Sequence, residues 1–194
     1  MIRLFHKNYR RLSDEELMER VMENDDNGAF DELYCRYARR LQGFFFRMLN
    51  GDEESASDFC QETFLKIWSF RRQYKQNSVF RPWLFTMAYN LCRNEYRHRE
   101  HENDYNEELC HSFTEDIDEN YESNLDNKTL VYALERVVNN LSENLRTLYT
   151  LRFEEEMSIK EIAQIINIPE GTVKSRLFKL LNVLKEKLKA YETL

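Results

Sequence analysis

Between residues 174 and 179 the chain places Lys174, Ser175, Phe178 and Lys179, a set suited to one kind of chemistry. The cations can neutralise phosphates, the serine hydroxyl can hydrogen-bond, and a phenylalanine among polar groups can cover a thymine methyl in a major groove. Left in water, Phe178 would expose apolar area without a partner. An ordinary amphipathic hairpin with a solvated charged face accounts for the lysines but not for Phe178.

The elements that must hold these groups are legible around them. Ser158 and Glu161 have capping-box spacing, and Ile159, Ile162, Ala163 and Ile166 recur at helical period, so a short helix starts at 158 and ends near Asn167. Pro169 suits the first position of a second helix. Gly171 is small enough to let a helix or a phosphate backbone approach. In that second helix Val173, Leu177, Leu181, Leu184 and Leu188 are expected to face the core, leaving Lys174, Ser175, Phe178 and Lys179 outside. The arrangement is a helix-turn-helix.

A second group lies upstream, in SVFRPWLFTMAYNLCRNEYRHR at 78–99. Pro82 fits a first helical turn, Leu84, Met87, Ala88 and Leu91 form a core stripe, and Asn90, Arg93, Asn94 and Arg97 follow i, i+3, i+4, i+7 on another side. Phe80, Trp83, Phe85, Tyr89 and Tyr96 surround this row. Aromatics interleaved with arginine suit single-stranded DNA, whose unstacked bases need flat partners and whose phosphates need cations; some of these rings are equally suited to the core. A third group, in DFCQETFLKIW at 58–68, sets Asp58, Gln61 and Glu62 at steps of three and four, with Phe59, Phe64, Ile67 and Trp68 able to pack inward. Taken alone, that patch is a wet surface.

Only 4 glycines and 2 prolines in 194 residues, together with 3.6-period patterns, argue for an all-α protein. Ser13 and Glu16 open one helix through about Glu23, a second runs from Ala29 to Leu49 with Phe30, Leu33, Tyr37, Leu41, Phe44 and Phe45 on its buried side, and a third spans roughly Glu54 to Phe70. No run approaches the ~18 apolar residues of a membrane span and the basic N-terminus lacks an apolar signal core, so no membrane insertion and a cytoplasmic location are expected. Cys35, Cys60, Cys92 and Cys110 lack CxxC spacing and read as reduced thiols. His98, His101, Cys110 and His111 match no zinc module; neither a metal nor a cofactor is expected, and no nucleophile, catalytic carboxylate pair or phosphate loop suggests an enzyme.

The formal net charge of -7 looks wrong for a nucleic-acid binder until the acid is located. Residues 101–127 hold 10 acidic residues and no Lys or Arg, leaving 28 basic and 25 acidic residues elsewhere. A polar, acidic, aperiodic run between two helical blocks reads as a linker, either a solubilising spacer or a tether that competes with nucleic acid for basic surfaces. The expected organisation is two small helical domains, 1–100 and 128–194, joined by this acidic linker, 101–127.

In this order the pieces resemble a bacterial RNA polymerase sigma factor of the sigma-70 family, in the short extracytoplasmic-function (ECF) group that retains only regions 2 and 4. DFCQETFLKIW is similar to region 2.2, FRPWLFTMAYNLCRNEYRHR to regions 2.3 to 2.4, and LSENLRTLYTLRFEEEMSIKEIAQIINIPEGTVKSRLFKLLNVLKEKL at 141–188 to region 4. The resemblance implies that Asp58, Gln61, Glu62 and Phe64 meet the beta-prime clamp helices of core polymerase. It implies that Trp83, Asn90, Arg93, Asn94 and Arg97 lie near the -10 element, and that Thr172, Lys174, Ser175, Arg176, Phe178 and Lys179 read the -35 element as duplex. It further implies contact with the beta flap of core polymerase, a linker threading toward the active centre and RNA exit path, and control by an anti-sigma factor. One departure is visible: only Arg97 and Arg99 follow Tyr96 before acid begins at Glu100, which implies fewer phosphate contacts there.

Two rivals predict different behaviour. A free-standing dimeric helix-turn-helix regulator would bind a palindrome without polymerase. A helical adaptor would use its basic face to dock an acidic protein.

Overall fold

A computed structural model describes residues 9–76, 78–106 and 127–192, with side chains for all of these except 100–106, 127–130 and 190–192. Among the described residues every regular element is helical. The first half comprises α1 (Asp14–Asn24), α2 (Asn27–Met48), α3 (Glu53–Phe70) and α4 (Phe80–Asn106); the second comprises α5 (Asn127–Asn139), α6 (Glu143–Tyr149), a π-helical turn (Thr150–Glu154), α7 (Ile159–Ile166) and α8 (Glu170–Glu192). Six residues assigned from sequence to the linker, 101–106, extend α4; 107–126, with Cys110 and His111, lie outside the described residues.

Side chains that satisfy the orphan N–H groups decide where helices begin. Ser13 and Glu16 form the expected reciprocal cap, with Ser13 N donating to Glu16 Oε2 at 2.7 Å and Glu16 N to Ser13 Oγ at 3.1 Å. Asp25, left-handed at φ 50°, ends α1, and Asp26 caps α2 by accepting from Gly28 N and Ala29 N. A Cβ at Gly28 would lie 2.6 Å from the Tyr9 ring, whose hydroxyl donates to Asp26, so a larger residue would displace that ring and its hydrogen bond. The reversal into α3 uses Asn50 (φ 59°) and Gly51 (φ 88°), after which Asp52 caps α3 through Ser55 N at 3.0 Å.

The core of the first half is aromatic. Phe44 stands perpendicular to Phe85 with centroids 5.5 Å apart, Phe45 meets Phe59 edge-on, and Tyr37 and Tyr74 both pack on Phe80. Phe80 and Phe85 are therefore fully buried and cannot stack on bases, which corrects the reading that set them around the basic helix.

In the second half Ser158 and Glu161 repeat the reciprocal cap at 2.8 and 3.2 Å, and Asn167, left-handed at φ 54°, ends α7. Partial burial works against it, but the hydrogen bonds from Ser158 hold the Glu161 carboxyl below its ordinary value. Replacing Ser158 by Ala is expected to cost about 1 kcal/mol, measurable as a lower urea midpoint at unchanged slope. Pro169 sits just before α8, accepting from Thr172 N and Val173 N, one position earlier than expected. Along α8 the buried residues are Val173, Leu177, Leu180 and Leu184, whereas Leu181 is 50% exposed. Repeated steps of four drift off a 3.6-residue turn, and a step of three at Leu180 restores the stripe.

The two halves share one buried core. Helix α7 packs against α4 and α6 against α2. Arg146, buried, donates through Nη2 to the carbonyls of Asn139 (2.6 Å) and Leu141 (3.1 Å) at the end of α5, and its Nη1 donates to the Asn50 side chain. It closes a helix C-terminus in one half and reaches the α2–α3 corner of the other.

Candidate functional site: two basic helix faces and an apolar rim

On α8 the structure keeps Lys174, Ser175, Phe178 and Lys179 exposed and Thr172 and Arg176 half-buried. Phe178 is 68% exposed. Ser175 Oγ donates to the backbone carbonyl of Thr172 at 3.0 Å, so the two hydroxyl-bearing residues of the set lie within the first two turns of α8. A Cβ at Gly171 would meet nothing within 4 Å. No helix packs there, which leaves the space beside Gly171 open to an outside group. Helix and turn together present an exposed face of cations, hydroxyls and one ring at the N-terminal end of a helix, the geometry with which a recognition helix enters a major groove.

Asn90, Arg93, Asn94 and Arg97 are all exposed along α4. Trp83, two turns before Asn90 on the same face, is half-buried, its ring 5.2 Å from that of Tyr74 and 6.1 Å from that of Phe80. A ring held on two sides with its remaining edge in solvent is a rigid platform, and rigidity lowers the entropy lost when a base stacks on it. Tyr96 donates to Met48 O at 2.5 Å, and burial pushes its hydroxyl well above the ordinary value, so it remains a neutral donor. Tyr89, Arg93, Tyr96 and Arg97 line one wall of a cleft of about 200 Å³; Glu143, Asn144 and Thr147 from the second half line the other.

The third group is partly rearranged. Asp58 and Gln61 are exposed, and Glu62 pairs with Lys66 at 3.1 Å one turn along α3. Phe64, expected as a contact residue, is only 4% exposed and packs against Phe30 and Tyr34 with centroids 6.0 and 4.6 Å away. It forms the floor of a shallow hollow whose rim is Tyr34, Gln61, Leu65 and Trp68. Leu65 is 67% exposed and was missed from sequence, although it is i+7 from Asp58 and so falls on the Asp58, Gln61, Glu62 face. An apolar residue at the centre of a polar row is what an interface core requires.

Comparison with known proteins shows the family. A family model described as Sigma-70 region 2 matches residues 33–102, and one described as Sigma-70, region 4 matches 132–182. The ECF RNA polymerase sigma-E factor of Haemophilus influenzae is 32% identical over 190 residues, covering 92% of this chain and 96% of its own length. The RNA polymerase sigma-H factor of Pseudomonas aeruginosa is 30% identical over 183 residues, covering 90% and 93%. Among solved structures, the sigma factor RpoE of Bartonella quintana, in complex with the anti-sigma factor NepR, aligns with TM-score 0.65 at 25% identity, covering 82% of this chain and 96% of its own. The two matched regions contain α4 with its arginine row and α8 with its exposed phenylalanine, in the order the family requires. The chain belongs to the sigma-70 family of transcription-initiation factors, in its ECF group.

Proposed function

We propose that the chain is a two-point promoter reader carried by core RNA polymerase, with the three surfaces above as its working parts. As a sigma factor it directs the polymerase to promoters, and the chemistry of RNA synthesis belongs to the polymerase. The α8 face, Thr172, Lys174, Ser175, Arg176, Phe178 and Lys179, reads the -35 element as duplex. The α4 face, Trp83, Asn90, Arg93, Asn94 and Arg97, holds the -10 strand once it unpairs, so that base capture stabilises the open form. The α3 rim, Asp58, Gln61, Glu62 and Leu65 over Phe64, meets the beta-prime clamp helices, and the second half also contacts the beta flap. The likeness to an RpoE bound to NepR supports control of this chain by an anti-sigma factor.

The observation that carries the reading is the simultaneous exposure of Phe178 on α8 and the Asn90 to Arg97 row on α4, separate faces on the two halves of the chain. Two modest binders on one chain accumulate affinity only where both sites lie at the correct separation. Among the described residues no helix is long and apolar enough to cross a membrane, in keeping with work in the cytoplasm.

Reconstitution with bacterial core polymerase on a library of promoter fragments tests the whole reading: selective initiation is expected, and a chain that neither binds core nor directs initiation rules it out. The rim has its own test. Asp58→Lys and Leu65→Asp are each expected to weaken core binding by ten-fold or more, about 1.4 kcal/mol, leaving the thermal midpoint within a few degrees because both side chains are exposed. Equal core affinity in a titration would remove the rim from the polymerase interface.

A further inference from the structure

Helix α4, which carries the arginine row, takes a cap from another helix. Val79, the residue before it, has an apolar side chain that accepts nothing, and Pro82 in its first turn has no N–H. Glu15 of α1 supplies the acceptor, Phe80 N donating to its Oε1 at 3.1 Å. A carboxylate there also meets the positive end of the helix dipole. Glu15 is half-buried, and its neighbour Asp14 accepts from the Tyr37 hydroxyl and from Arg36 Nη1 at 2.7 Å, so this turn of α1 is itself anchored to α2.

The segment leading into α4 is held by the same helix. Asp25, at the end of α1, pairs with Arg71 at 2.5 Å, and Gln76 Nε2 donates to Glu23 Oε1 at 3.1 Å. Tyr74, buried, closes the turn by donating its hydroxyl to Ser78 O. Burial, reinforced by Glu15, Glu19 and Asp14, pushes that hydroxyl well above its ordinary value, so it remains a neutral donor. The ring of Trp83 rests on both parts of this assembly, inclined at 69° to Tyr74 and at 48° to Phe80. One of its two supports thus carries the N–H that Glu15 holds, and the other closes the turn before it.

We propose, on the assignment of Trp83 to the -10 strand, that Glu15 is a positioning residue for strand capture: by fixing the first turn of α4 to α1 it sets the angle at which Trp83 meets an unpaired base, with Tyr74 as the second support. Tyr74 is buried and the Glu15 carboxylate carries the sign of a phosphate, so both act through Trp83 and neither touches DNA. A ring whose support has relaxed loses more entropy when a base stacks on it, and the loss is felt only once the strands separate. Core contacts on α3 and duplex contacts on α8 are insensitive to it.

The test uses the full chain with core polymerase on a promoter taken from the library above. Glu15→Ala is expected to shorten the half-life of the heparin-resistant open complex by about five-fold or more, and Glu15→Gln, which keeps an acceptor of the same length, by less than about two-fold. Tyr74→Phe, which keeps the ring and loses only the bond to Ser78, should shorten it by about two- to three-fold, and core affinity should be unchanged in all three. Because ring and support act as a unit, Glu15→Ala should have no further effect once Trp83 is replaced by Ala. A general defect of the first half would instead add to the Trp83 loss, and that additivity overturns the positioning role, as does a wild-type half-life in Glu15→Ala. A wild-type half-life in Trp83→Ala alone overturns the strand-capture assignment itself, and the positioning role with it. The free protein gives a second readout without polymerase. Labelled with 5-fluorotryptophan, it carries two reporters, Trp68 and Trp83. In Glu15→Ala the fluorine resonance of Trp83 should move while that of Trp68 stays; a Trp83 resonance at its wild-type position overturns the positioning role whatever the open complex does.

Discussion

Replacing Lys174 and Lys179 together by glutamate should lower initiation more than 100-fold at promoters read by α8, while core polymerase still binds the protein. Both lysines are exposed on the solvent side of the helix, flanking Phe178. On this reading each reversal removes a phosphate contact and sets a like charge against the backbone, so a loss of about 3 kcal/mol or more for the pair is expected and the salt dependence of DNA binding weakens by about two counterions. With the α3 rim as the proposed polymerase contact, core association is expected to be unchanged in a pull-down. Transcription at wild-type level from the double variant would exclude α8 as the duplex reader. A chain that instead bound a palindrome without polymerase would favour the free-standing regulator.

The second large effect concerns stability. Replacing Arg146 by Ala takes the donors from Asn139 O and Leu141 O, strips the Asn50 side chain of its partner and leaves a hole in a buried site. Unsatisfied buried acceptors of this kind cost about 1–3 kcal/mol each, and ~3 kcal/mol in total is expected. At 2–4 °C per kcal/mol for a chain of this size, the melting temperature should fall by about 6–12 °C in calorimetry. Lysine should rescue less than half of that, because a single ammonium cannot reproduce a planar fork aimed at three acceptors. A fall of under 2 °C for the alanine variant would show that water replaces the guanidinium at no cost.

What could be read from the sequence was local. The two Ser-x-x-Glu caps, at Ser13 and Ser158, depend on contacts three residues apart, and both formed as spaced. The basic faces came from helical period, since Lys174 with Phe178 and Asn90 with Arg97 share faces wherever the helix goes. Errors arose where period alone cannot decide. Leu180 and Leu181 are adjacent leucines, and only the packing of α8 on α5, α6 and α7 selects the first for the core. Phe64 packs inward, as its period allows, while its neighbour Leu65, exposed on the 58, 61, 62 row, was the residue that row left unnamed. Phe80 and Phe85 were equally suited to bases or to a core until Tyr37, Tyr74 and Phe44 proved to lie against them.

Contacts between the halves had no signal at all. Arg146 reaches Asn50 across 96 positions and Glu155 meets Arg40 across 115, and no pattern within one helix encodes such a meeting. An arginine between Leu145 and Thr147 reads as an ordinary polar position. That it closes the end of α5 is visible only once three helices are assembled.

The π-helical turn over Thr150–Glu154 holds one residue more than an α-helical turn would. That surplus residue sets the angular register between α6 and the helices that follow, so deleting one residue from Thr150–Glu154 would turn α7 and α8 by about 100° relative to α6.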